Sequence, residues 1–408
     1  MLDYHLPRTY LAVKNDMSTI RRYDLDWLRV SVFGLLILYH VGMFFVPWGW
    51  HIKNNVIYPE LRWPMLFVNQ WRLPILFVIS GMGTAFALSF RSGGQFRQER
   101  LQRLGIPLVF GILMVVPPQV YLERLVSGTF QGSYLDFLRT VAFTQGVYPA
   151  GNISWHHLWF LPYLLVYSLL LSPVFIYLRN HPQARVLRTL RRWLTEYPLR
   201  MYWFVVPLYL YEALLEPFFP VTHNLVWDWF NFISSATLFL YGFLLISVRD
   251  AFWTTVERLR KKALFLGSVC FLAMLGIWLY LEDGMVVHFT EAALKVINMW
   301  SWILVLFGYG AKYLNHPSRT VTYANRAVYP FYILHQTITI ILGYFLMDMN
   351  WGLTPKFTIL TLGTFGGAWL LYEGLIKPIP FLHPLFGLKP QKKQELRSAR
   401  IKRQLLQD

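Results

Sequence analysis

Residues 30–46 read VSVFGLLILYHVGMFFV. The run is apolar on every face of a helix. It does not alternate apolar with polar, as a strand of a membrane barrel would. About 20 such residues let a helix cross roughly 30 Å of hydrocarbon, and comparable runs recur along the chain. Spans are expected near 26–47, 69–90, 103–122, 157–178, 201–217, 230–248, 263–281, 292–312, 327–347 and 356–376. Gly, Pro and charged residues mark most of their edges. Of the 408 residues, 55% are hydrophobic and only 14% are charged, against about 25% charged in soluble domains. The expected fold is all-α: a polytopic membrane protein of about ten transmembrane helices. Residues 1–25 form an N-terminal segment, 26–376 the transmembrane domain and 377–408 a basic tail. A cleavable signal peptide is not expected, because the first apolar segment is too long and follows a polar, basic stretch.

The net charge of +17 has a topological cause, so nucleic acid is not an expected partner. With the N-terminus inside, 31 of the 38 Lys and Arg fall on the cytoplasmic side. This is the positive-inside pattern, and it implies an even number of spans with both termini cytoplasmic. The expected location is the bacterial inner membrane, with the lipid bilayer as the first partner; an oligomer is compatible with the composition. The single cysteine, Cys270, lies in an apolar run, which excludes an intramolecular disulfide. The outer segments 48–68 and 123–156 are rich in Trp, Tyr, Gly and His. Trp48, Trp50, Trp155 and Trp159, in or next to these segments, fit either an interfacial aromatic belt or a platform for the apolar face of a sugar.

The chemistry begins in the first span. Arg29 and His40 are eleven residues apart, which puts them about 20° apart on one helix face and about 16 Å apart along it. Asp26 lies near the same face. A histidine inside a membrane helix reads as functional, and neutral imidazole suits a general base. A second histidine, His335, follows Tyr332 in a later span at similar depth. Arg97, Arg100 and Arg103 recur at i, i+3 and i+6 in a cytoplasmic loop, and their planar forks suit phosphate. No G-x-S-x-G elbow, H-E-x-x-H or other metal motif is present, so neither a metal nor a permanently bound cofactor is expected.

At these residues the chain resembles the membrane acyltransferase-3 family. The resemblance rests on Arg29-X10-His40, on an R-x-x-R pattern at Arg97/Arg100 or Arg100/Arg103, and on Phe77-Val78-Ile79-Ser80-Gly81. It rests also on His156-His157-Leu158-Trp159-Phe160-Leu161 and on Tyr332-Ile333-Leu334-His335. Within the family, Trp50-His51-Ile52 and Arg100–Pro107 look most like the glucan-biosynthesis C-type group. The resemblance implies transfer of an acyl group, best succinyl, from cytoplasmic acyl-CoA (succinyl-CoA or acetyl-CoA) to a hydroxyl of a periplasmic glucan. It implies His40 as base, with Asp26, His335, Tyr332 and Ser80 in support. Arg29, Arg97, Arg100 and Arg103 would hold the CoA phosphates. Arg72 would meet the succinyl carboxylate, and Trp48, Trp50, His51, Trp155, His156 and Trp159 would face the acceptor. Two alternatives remain at this point: O-acetylation of another envelope polysaccharide or lipid, and a transporter or flippase without acyl transfer.

Overall fold

The computed structural model describes residues 22–388 of the 408. The expected cytoplasmic segment before Arg22 and the basic tail from Lys389 lie outside the described residues. Among the described residues the architecture is helical without a named strand. The main helices are α1 (Tyr23–Met43), α2 (Arg72–Ser89), α3 (Gly93–Val126) and α4 (His156–Leu170 with Ser172–Asn180). They continue with α5 (Val205–Leu214), α6 (Trp229–Ser247), α7 (Arg249–Tyr280), α8 (Met285–Tyr313), α9 (Arg319–Leu346) and α10 (Leu353–Ile376).

Seven of these are long and apolar enough to cross a membrane, or eight if the bent α4 is one span. The two expected spans that fall outside that group are helical as well. The segment expected at 201–217 divides into a 3-10 turn, Pro198–Phe204, and the short α5. It lies antiparallel along α8, with Trp300 Nε1 donating to the Met201 carbonyl at 2.9 Å and a His288 ring nitrogen donating to that of Ala213 at 2.9 Å. The helix expected at 327–347 is α9, whose interior carries Pro330, His335, Gln336, Thr337 and Thr339 and is less apolar for it.

Prolines shape the helices that surround the site. Proline removes a donor and frees the carbonyl four residues earlier. In α4, Pro173 frees the Leu169 carbonyl, and the Ser172 hydroxyl donates to it at 2.9 Å where the helix bends by 51°. In α3, two π-helical turns, Leu101–Gly105 and Gly111–Val115, directly precede Pro107 and Pro117. Such turns rotate the side chains beyond them and are frequent at functional sites.

The Phe77–Gly81 segment packs α2 against α6. A Cβ on Gly81 would strike the Phe239 carbonyl, and one on Gly242 would strike that of Val78. The helices therefore cross backbone to backbone, as small residues permit in a bilayer. Gly81→Val and Gly242→Val should each lower the melting temperature in detergent, at the cost of about 1–3 kcal/mol or more that overpacking brings. Gly34→Ala, whose Cβ would meet nothing within 4 Å, should leave it within a degree or two of wild type by differential scanning fluorimetry.

Candidate active site

Helices α1 and α9 lie side by side and run in the same direction. Three rungs join them in rising order. Arg29 donates to Asn325 Oδ1 at 3.1 Å, Phe33 meets the edge of Tyr332 at 5.5 Å between ring centroids, and His40 meets His335 at 3.0 Å. The stripe expected on α1 is thus matched residue for residue by α9. At the lower rung Asp26 accepts from Asn325 Nδ2 at 2.9 Å and from Arg29 at 3.5 Å, which fixes the guanidinium.

The upper rung has a defined proton arrangement. His335 Nδ1 lies 2.7 Å from the Tyr332 carbonyl, and His335 Nε2 lies 3.0 Å from His40 Nδ1. A carbonyl only accepts, so His335 carries its proton on Nδ1 and its Nε2 is an acceptor. His40 Nδ1 must then be the donor. With both rings neutral, His40 Nε2 is left with its lone pair free, which is the state a general base needs. These tautomers follow from the partners. His335 is fully buried, whereas His40 is half-buried. The Tyr332 hydroxyl donates to the His157 carbonyl at 2.6 Å, tying α9 to the start of α4.

Sequence reasoning named His157 only within a motif and did not single out Gln119, Gln336, Glu123 or Tyr148, which continue this polar core. His157 stands edge-on to His335 at 5.0 Å and donates from Nε2 to the Ile333 carbonyl at 3.0 Å. Its Nδ1 accepts from Gln119 at 3.4 Å. Gln336 donates to Gln119 Oε1 at 3.0 Å and to His51 Nε2 at 3.0 Å. His51 Nδ1 therefore carries the proton, which it donates to Glu123, and Tyr148 donates to the other Glu123 oxygen at 3.0 Å. Burial, then the Glu123 carboxylate, push the Tyr148 hydroxyl up to about 12, so it remains a donor. The network ends at a cavity of about 730 Å³ lined by Trp50, His51, Lys53, Glu123, Tyr148 and Met347.

The loop after α1 positions His51. Lys53 Nζ turns back onto the last carbonyl of α1, reaching Met43 at 2.5 Å, and onto two carbonyls of the loop just beyond it, Trp48 at 3.1 Å and Val46. Helix carbonyls there have no intrahelical donor, so the lysine acts as a cap. Burial pushes its ammonium down to about 8. From α10, Lys356 clamps the same loop through Asn54 at 2.6 Å and Asn55 at 3.0 Å.

Arg72 is buried, lies 3.5 Å over the Tyr39 ring and donates to Asn69 at 3.0 Å. Its Nε is buried without a hydrogen-bond partner, and among the described residues no carboxylate pairs with it. The expected phosphate arginines separate. Arg97 is exposed, while Arg100 lies over Phe96 and reaches Thr84 at 3.4 Å. Arg103 donates to the Gly387 carbonyl at 3.3 Å. Ser80 connects to Arg100 through Thr84, whose hydroxyl donates to the Ser80 carbonyl at 3.0 Å. Near Arg29's partner Asn325, a cavity of about 560 Å³ is lined by Tyr23, Arg319, Tyr323, Arg326, Tyr372 and Lys377.

The tryptophans are mostly walls. Trp159 is buried, with one face stacked on His223 at 3.9 Å, and Trp155 donates to the His223 carbonyl at 2.9 Å. Trp48 stacks on Tyr39 at 6.4 Å. His156 does not join His157: it turns to His51 at 4.3 Å and Tyr148 at 4.8 Å. One ligand atom each from His51, Glu123 and His156 lie within 4.8 Å of one another.

The acyltransferase domain family matches residues 22–373, which include every residue of the histidine core. The proteins called glucans biosynthesis protein C of Salmonella schwarzengrund and Escherichia coli are each 27% identical to the chain, over 93% of its length and 98% of theirs. No solved structure matches it. The family match runs from α1 to α10 and takes in the histidine pair between the parallel helices α1 and α9, so this multi-pass membrane protein belongs to the acyltransferase family.

Proposed function

We propose that the chain moves a succinyl group from succinyl-CoA on the cytoplasmic side of the bacterial inner membrane to a hydroxyl of a periplasmic glucan. The observation that carries the reading is the His335-anchored tautomer of His40, which leaves Nε2 free to take a proton. In the reaction, the acceptor oxygen attacks the thioester carbonyl while its proton passes to His40 Nε2. The C–O bond forms, the C–S bond breaks, and the proton goes on to the departing thiolate. The name of the relatives, glucans biosynthesis protein C, supports a glucan as acceptor.

Topology supports the two-sided arrangement. Two helices that run the same way need an odd number of crossings between them. Helices α2 to α8 supply seven only if α5 crosses, and its antiparallel course along α8 favours that. Ten crossings then put both termini on the cytoplasmic side, in line with the positive-inside count. The donor's phosphates belong at the cytoplasmic end, where Arg319, Arg326 and Lys377 line one cavity and Arg29, Arg100 and Arg103 lie on the helices of the same end. The tyrosines Tyr23, Tyr323 and Tyr372 of that cavity offer faces to an adenine ring.

Arg72 supports succinyl over acetyl. A buried guanidinium with no carboxylate partner beside Tyr39, the neighbour of His40, suits a distal carboxylate of the donor.

Three outcomes test this reading in purified protein with a glucan acceptor. His40→Gln should lower kcat for succinyl transfer by about 10²–10⁴-fold, the usual worth of a general base, with donor binding unchanged. Arg72→Gln should cost about 10- to 100-fold in kcat/KM for succinyl-CoA, the worth of a hydrogen bond to a charged group, and much less for acetyl-CoA. Arg326→Ala should raise the donor KM and spare kcat. Turnover of neither donor by well-folded wild type would reject acyl-CoA transfer, and equal losses on both donors in Arg72→Gln would reject the carboxylate assignment.

A further inference from the structure

His51, Glu123 and His156 come from three separate segments: the loop after α1, the end of α3 and the start of α4. Their ligand atoms lie within 4.8 Å of one another. We infer that they form a binding site for one divalent transition-metal ion of the zinc type. Two imidazoles and one carboxylate are the donor set that zinc takes with three protein ligands and one open position.

Several features favour an ion over a self-contained hydrogen-bond cluster. His156 Nε2 is buried and has no hydrogen-bond partner, an arrangement that is unfavourable if nothing meets it. The residue is held at φ +38, a left-handed conformation that is uncommon outside glycine and that turns its ring away from His157. Outer partners orient the ligands, as they do around bound metals: Tyr148 holds Glu123 at 3.0 Å and Gln336 holds His51 at 3.0 Å. The neighbouring cations are committed elsewhere. Arg124 donates to Asn152, Pro149 and Gly151, and Lys53 to carbonyls at the end of α1 and in the loop just beyond it. His51 and Glu123 line the cavity of about 730 Å³, which leaves room for water or a sugar hydroxyl at the fourth position.

Binding through His51 Nδ1 conserves protons: the ring proton moves to Nε2. Gln336 must then present its oxygen instead of its nitrogen, and Gln119 must turn in response. Metal occupancy is therefore linked, through these two amides, to the donor that His157 Nδ1 receives.

Chelator-treated full-length protein in detergent, titrated with zinc chloride by calorimetry without any acyl donor, tests the site. Wild type should bind one saturable equivalent. His51→Ala and His156→Ala should each weaken binding by at least about tenfold, the effect that even outer-partner changes have on metal sites. His40→Ala should retain the zinc site, which separates it from adventitious binding at the intramembrane histidines. Glu123→Gln keeps the side-chain shape should the alanine variants fold poorly; zinc should raise the melting temperature of wild type and not of this variant. No saturable binding by wild type, binding unaltered in both alanine variants, or an equal zinc-induced melting shift in Glu123→Gln would each overturn the proposal. Because no acyl donor is present, these results are independent of the transfer reaction.

Discussion

The hydrogen bond between His40 and His335 is the contact on which the rest of the site depends. It joins two parallel helices at a depth where polar groups are costly to bury, so each ring must be satisfied by a fixed neighbour. His335 spends one nitrogen on the carbonyl of its own helix and the other on His40. That leaves one unpaired lone pair, on His40 Nε2, in an otherwise closed set. The lower rung, Arg29 with Asp26 and Asn325, keeps α1 and α9 in register, and register is what brings the two rings together.

From this pair the polar network extends in one direction only. Towards the cavity lined by Trp50 and His51 it passes through His157, Gln119, Gln336 and His51 to Glu123, each with an assigned donor and acceptor. Towards the other end it gives way to Phe33, Tyr332 and Tyr329, whose rings pack between the histidines and the arginines. In the proposed reaction this aromatic collar would separate the cationic end from the histidine core. The proline-linked π turns of α3 lie between Arg100, which reaches Thr84, and Gln119 and Glu123, which join the polar core.

What the sequence made legible was local. Helical periodicity alone aligned Arg29 with His40, because eleven residues are close to three full turns. Apolar runs placed the helices, and intramembrane polarity singled out His335. What it did not make legible was tertiary. Gln119 and Glu123 lie one turn apart on α3, but His157 and Gln336 have no spacing that ties them to that pair; they meet it only once α3, α4 and α9 pack. The adjacent His156 and His157 read as one motif, yet the left-handed backbone at His156 sends them to different partners. The arginine triplet looked like one face, but the π turn at Leu101–Gly105 and the burial of Arg100 divide it. Of the tryptophans near these segments, Trp159 is a buried wall and Trp50 lines the cavity.

The central claim is that one protein joins a donor on one side of the bilayer to an acceptor on the other. The direct measurement is mass spectrometry of a glucan sealed inside proteoliposomes of uniform orientation, with succinyl-CoA supplied only to the face bearing Arg29 and Arg326. Succinyl ester on the enclosed glucan is the predicted result. Ester formed only when donor and glucan share a compartment would contradict it.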